Sequence, residues 1–436
     1  MVLSRVSPPR VLFAQMTFGP IVFLLFLLLS ASCRGAPLEE WVARADSLFA
    51  RGEFEEAEAL YQSTLEEDPA NLHALTSHGR ILLYGGRLEE AEIPLRKVLD
   101  LDPANRRANL LLGEAYCRRS RFGDAAPLFR AGGDIPKAEQ LEYLDRKSPY
   151  HVDGGVDATT VDFIVTDPLP LVRVRINGVE VVLFIDTGAP VLGIDEDLAD
   201  EVGAVRFGQQ MATFAGGRKA PFEHGVIEKI QIGNFTIHNV PVHIRSGPKL
   251  LQTPDGEPTR GVLGTAFLYQ FVSTFDYPGG QLILERRTRE SLAGIQERVW
   301  SPESIVVPFW MAGDHFMVAW GTANASRPAL FLIDTGLAGG GFLGGDDIVR
   351  EARIPLPEES FAAMGGAGAV RTKQAVVDRV TLGNAVQRDV VGFFGGIPPL
   401  SKMLGFRVAG IVSHGFFRSY RVTFDFQGMR LVLEPS

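Results

Sequence analysis

One pattern occurs twice: Phe184-Ile185-Asp186-Thr187-Gly188-Ala189, and again Leu332-Ile333-Asp334-Thr335-Gly336-Leu337. An apolar run closed by a turn residue reads as a buried strand. Each copy therefore sets a carboxylate where a buried strand gives way to a glycine turn. The recurrence extends beyond the triplets. Asp186 and Asp334 are 148 residues apart, and Gly261-Val262-Leu263-Gly264 returns as Gly410-Ile411-Val412-Ser413 at an offset of 149. Thr274-Phe275-Asp276-Tyr277 returns as Thr423-Phe424-Asp425-Phe426, and Gly216-Gly217 as Gly365-Gly366, both also at 149. Ile232-Gly233-Asn234 matches Leu382-Gly383-Asn384 at 150. Residues from about 156 to 436 are one β-rich unit written twice.

Local signals agree. Leu171 to Ile176 alternates apolar and polar, Asn177-Gly178 follows, and Val179 to Ile185 runs into Asp186. Asn-Gly between two such runs is a strong hairpin signal. Phe316 to Trp320 and Ala329 to Ile333 do the same for Asp334, with Gly321 to Pro328 as a longer turn.

The paired triplets resemble the aspartic protease superfamily, both its pepsin-like and retroviral branches, and in particular bacterial tandem retropepsin-like proteins. In that family each lobe supplies one Asp-Thr-Gly, and an apolar-apolar-Gly motif passes behind each catalytic loop. Val262-Leu263-Gly264 fits that motif; Ile411-Val412-Ser413 departs from it. The resemblance implies that Asp186 and Asp334 are the catalytic pair. Thr187, Gly188, Thr335 and Gly336 then support the two loops. Flaps are expected around Gly216 and Gly217, and around Gly365 and Gly366, within Met211 to Gly225 and Phe361 to Lys373. Neither flap segment holds the Tyr of pepsins, and Leu337 stands where the family has Ser, Thr or Ala. Two carboxylates held together cannot both ionise, so one acts as base while the other acts as acid. No cofactor or metal is expected. The eight His residues show no H-E-x-x-H spacing. Ser413-His414, as neighbours on one strand, would point to opposite faces.

Residues 38–146 change to helix formers with a period of 34. Ala45, Gly79 and Gly113 keep it, as do Phe54, Leu88 and Phe122, and Asp68-Pro69-Ala70-Asn71 returns at 102–105. This resembles tetratricopeptide repeats. Such repeats either pack on the lobes or offer a surface to a peptide or protein partner. They hold 21 acids and 14 bases, against 52 and 43 for the whole chain, and nothing resembles a basic nucleic-acid footprint.

Residues 1–35 carry Arg5 and Arg10, no acid, and then an unbroken apolar core from Ile21 to Leu29. That describes a secretory signal. The longer stretch from Val11 to Ser32 leaves a retained membrane anchor open. Ser30-Ala31-Ser32-Cys33 resembles a bacterial lipoprotein box, which makes Cys33 a lipidation candidate. The only other cysteine is Cys117, so export without internal disulfides is expected, in a bacterial periplasmic or extracytoplasmic setting.

The expected chain is therefore multidomain. It has a signal or anchor (1–35), all-α tetratricopeptide-type repeats (38–146) and a linker (147–160). An all-β bilobal acid-protease fold follows, with lobes at 161–285 and 305–436 joined by a bridge (286–304). The two lobes are expected to assemble within one molecule and to stand without the repeats. The expected function is an aspartic endopeptidase with a protein-interaction module. Its rival is a non-catalytic scaffold whose protease-like lobes no longer cleave.

Overall fold

A computed structural model describes residues 37–214, 217–246, 251–365 and 368–435. The signal or anchor, Cys33, Gly216 and Gly366 lie outside the described residues.

Seven helices fill the described part of the N-terminal module: α1 (Leu38–Arg51), α2 (Phe54–Glu67), α3 (Leu72–Tyr84), α4 (Leu88–Leu101), α5 (Arg106–Arg118), α6 (Phe122–Ala131) and α7 (Ile135–Asp145). The 34-residue pattern dictates their pairing. Gly79 and Gly113 admit close neighbours: a Cβ at Gly79 would stand 2.6 Å from Leu95 Cγ, and one at Gly113 3.0 Å from the Phe129 ring. Asn71 and Asn105, the last residues of the recurring Asp-Pro-Ala-Asn, cap α3 and α5 by accepting from Ala74 and Ala108 amides at 3.0 and 3.1 Å.

The two lobes have the same topology. In the first, strands 219–232, 171–176, 179–185, 261–263, 192–194 and 235–244 follow one another around a ring that closes on itself. In the second, strands 368–382, 316–323, 329–333, 408–412, 342–344 and 385–394 close the corresponding ring. The hairpin at Asn177-Gly178 forms as expected, with both residues at positive φ (48° and 94°). In the second lobe the strand continues to Ala323, so the turn is shorter than its composition suggests.

A six-stranded sheet joins the lobes, with the antiparallel pair 272–276 and 420–425 at its centre. Thr274 and Thr423, equivalent in the duplication, face each other there with Oγ1 atoms 2.8 Å apart. The pseudo-twofold relation of the duplication therefore runs between them. Residues 147–160 are more structured than a linker: His151–Val152 pairs with the first lobe, and Ala158–Asp162 is an edge strand of the joining sheet. The bridge holds a helix, Arg289–Trp300, closed by a Thr288/Ser291 capping box.

The repeats pack into the lobes. One buried apolar cluster contains Phe49, Phe54 and Tyr84 of the helices together with Val318, Leu330, Leu332, Leu404 and Phe406 of the second lobe. Phe54 meets Trp310 edge-on at 4.9 Å and Phe406 at 5.1 Å. Arg80 donates to Leu404 O, and Arg118 to the carbonyls of Met311 and Gly313. The expectation of a free-standing lobe pair stands against this shared core, part of which removing the helices would bare. At the other end α7 holds the first lobe. Gln140 Nε2 donates to Gly225 O at 2.7 Å, and Tyr143 lies 5.3 Å from Phe207. Phe207 and Gly225 belong to the hairpin that carries the first flap, strands Val205–Thr213 and Lys219–Ile232.

Candidate active site

Each Asp-Thr-Gly sits where a central strand of its ring ends. Asp186 follows strand 179–185, and its N–H donates to Leu263 O at 3.1 Å; Asp334 follows 329–333, and its N–H donates to Val412 O at 3.1 Å. The apolar-apolar motifs thus pass directly behind both loops.

The loops are locked to each other. Thr187 N–H donates to Thr335 Oγ1 at 3.0 Å, and Thr335 N–H returns the bond to Thr187 Oγ1 at 3.1 Å. Thr187 Oγ1 itself donates to Ile333 O at 3.2 Å, and Thr265 Oγ1 donates to Thr187 O at 2.7 Å. Both loop threonines are fully enclosed, at 0% and 1% exposure, so these bonds have no competition from water.

The lock brings the carboxylates together. A Cβ on Gly188 would stand 2.4 Å from Asp334 Oδ2, and one on Gly336 would stand 2.4 Å from Asp186 Oδ1. Only glycine leaves room for the opposing carboxylate at these two places. Gly188 N–H donates to Asp186 Oδ1 at 2.7 Å, and Gly336 N–H to Asp334 Oδ1 at 2.9 Å, which fixes each carboxyl plane. Burial, then the charge of Asp334 and a hydrogen bond to it, hold the Asp186 carboxyl well above the usual range. The Gly188 amide and the Arg245 guanidinium pull the other way, with smaller effect.

Ser413 makes a side-chain bond that its counterpart Gly264 cannot. Its counterpart Gly264 must be glycine, since a Cβ there would stand 2.3 Å from Val191 O and 2.7 Å from Ala189 O. In the second lobe the loop from the Asp-Thr-Gly aspartate to the next strand is two residues longer, Asp334 to Phe342 against Asp186 to Leu192. There Ser413 Oγ accepts the Leu337 N–H at 3.1 Å. Leu337 gives the carboxylate no side-chain hydrogen bond, but its backbone is anchored. His414 does not join this chemistry. Ser413 and His414 open a short helix rather than continue a strand, and His414 Nε2 pairs with Asp167 Oδ1 at 3.0 Å.

Both flap candidates are hairpins. In the first, strands Val205–Thr213 and Lys219–Ile232 meet in a turn where Gly217 has φ 72° and Phe214 N–H donates to Arg218 O at 2.7 Å. In the second, Gly365 ends strand Phe361–Gly365 and pairs with Gly368. The tips reach each other, for a Cβ on Gly368 would stand 3.0 Å from Arg218 Nη1. Two features of the cleft have no sequence motif to mark them. Phe214 occupies the first flap turn, and Arg245 lies beneath it with its guanidinium carbon 4.9 Å from the ring centroid.

Among known families, residues 172–267 match the family model for aspartyl protease. Residues 42–105 and 77–137 match that for the tetratricopeptide repeat. No curated protein matches the chain. The aspartyl protease match covers the first lobe and its Asp-Thr-Gly; the second lobe is tied to the first by the same ring of strands and the reciprocal loops. The chain thus carries tetratricopeptide repeats followed by a domain of the aspartyl protease family.

Proposed function

We propose that the protein is an aspartic endopeptidase in which Asp186 and Asp334 together activate a water molecule for attack on a peptide carbonyl. The observation that carries this reading is the reciprocal placement of each glycine against the other lobe's carboxylate. Two carboxyl groups that close hold one proton between them, as acid-protease pairs do. The ionised member takes a proton from water as the oxygen attacks. The protonated member hydrogen-bonds the carbonyl oxygen as it gains charge. Proton return to the amide nitrogen then lets the C–N bond break. The helical module, besides bracing both lobes, serves protein substrates or partners. The basic-then-apolar N-terminal segment favours export, with retention at a membrane by an anchor or by lipid on Cys33.

The rival scaffold reading rests on Leu337, Ser413 and the absent flap Tyr. The Ser413 Oγ bond to the Leu337 amide weighs against the second of these. Calorimetry with a peptide mimic carrying a central hydroxyl in place of the scissile amide tests the proposal. Binding that is lost in Asp334→Asn supports it; equal binding by wild type and variant contradicts it.

A further inference from the structure

The roof of the cleft is cationic although the chain is acidic, with a net charge of −9. From Met211 to Phe222 and from Phe361 to Lys373 every charged side chain is basic: Arg218, Lys219, Arg371 and Lys373. The described parts of these stretches are the strand ends of the two hairpins, and Arg218 lies against Gly368 of the opposite one. The acid nearest the first stretch, Glu223, is paired with Arg206 at 2.7 Å; Glu358 and Glu359 precede the second.

Arg245 continues this charge downward toward the catalytic pair. It directly follows strand Phe235–Ile244, whose end runs parallel to Leu192–Ile194, the strand that leaves the first catalytic loop. Its N–H donates to Ile194 O at 3.2 Å. The side chain is half-buried, and its guanidinium is held over the Phe214 ring. Its charge acts on Asp186. A guanidinium stacked on an aromatic face has already lost much of its rotamer freedom, and its planar fork suits a carboxylate.

We propose that Arg245 is a specificity-determining residue that pairs with an acidic side chain of the substrate beside the scissile bond, and that the flap cations draw acidic peptides into the cleft. The inference rests on the endopeptidase reading above. One partly desolvated charge pair gives a preference on the order of 10- to 100-fold for Glu over Gln at that position. Attraction by exposed flap charges fades as salt rises.

The test has two arms. A mixed peptide library is digested by wild type, Arg245→Leu and Arg245→Lys protein, and the cut sites are read by mass spectrometry. Wild type is expected to enrich acidic residues beside the cut, Arg245→Leu to lose the enrichment, and Arg245→Lys to keep part of it. Cleavage by wild type with no acidic enrichment overturns the inference and leaves the endopeptidase reading intact. In the second arm an Asp/Glu-rich decapeptide and its Asn/Gln counterpart are titrated against Asp186→Asn protein by fluorescence anisotropy. Tighter binding of the acidic peptide, lost when Arg245→Leu is added, supports the inference even if no peptide is cut. Equal affinity for the two peptides overturns it.

Discussion

Thr187 and Thr335 each donate a backbone amide to the other's hydroxyl, at 3.0 and 3.1 Å, and neither is reached by solvent. This pair converts two separate loops into one rigid floor. Thr187→Val keeps the shape of the side chain but leaves the Thr335 amide and the Ile333 carbonyl without a partner. Each buried polar group left unpaired costs about 1–3 kcal/mol. The variant is expected to unfold several degrees earlier in a thermal melt and to lose most of its turnover, because the carboxylates drift apart. A melt and turnover indistinguishable from wild type would show that the lock is dispensable.

The raised Asp186 carboxyl makes stability depend on pH in a definite sense. In the unfolded chain Asp186 ionises near an ordinary Asp value of about 4. In the fold, burial and the facing Asp334 hold it well higher, against the smaller pull of Gly188 N–H and Arg245. The folded form therefore binds the extra proton. The stability this gives is full below about pH 4 and is lost as pH rises through the folded value. Asp186→Asn lacks this loss. Its melting temperature relative to wild type is expected to climb from about pH 4 toward neutrality. A difference that stays flat across that range in scanning fluorimetry contradicts the assignment.

The duplication, the two Asp-Thr-Gly loops and the two hairpins at the flap positions are legible in the sequence because each is written in residue types that the geometry demands. Gly188 and Gly336 admit nothing larger, and Asn177-Gly178 supplies two positive φ angles. The helical period is legible for the same reason, through Gly79 and Gly113. What stays hidden depends on relations between distant segments. Trp310 and Phe406 pack on the helices, but an aromatic residue in a strand-rich region looks the same whichever neighbour covers it. Ser413 reads as a departure because its partner, the Leu337 amide, lies 76 residues away in sequence. Arg245 is a lone base at a strand end; only the fold puts it under Phe214. The basic-only flaps are the signal that could point to it.

The helical module is expected to be needed for the lobes to remain folded. Arg118 joins α5 to the second lobe, with its side chain 5% exposed and bonded to Glu114 and to the carbonyls of Met311 and Gly313. Arg118→Ala strands a partly buried Glu114 as well as those carbonyls, a loss of roughly 3–5 kcal/mol. Denaturant melts should show that loss in strands of the second lobe as well as in the helices. Destabilisation confined to the helices would mean that the two parts are energetically separate.

The central claim is that both carboxylates are required for one hydrolytic step. Wild type, Asp186→Asn and Asp334→Asn proteins, each shown to be folded by circular dichroism, are incubated with the same peptide library, and new termini are counted by mass spectrometry. Wild type is expected to cut peptides, and each Asn variant to fall by on the order of 10⁴-fold, because either loss removes the acid–base pair. Cleavage that survives in either variant, or a wild-type protein that cuts nothing across the acidic and neutral pH range, would contradict it.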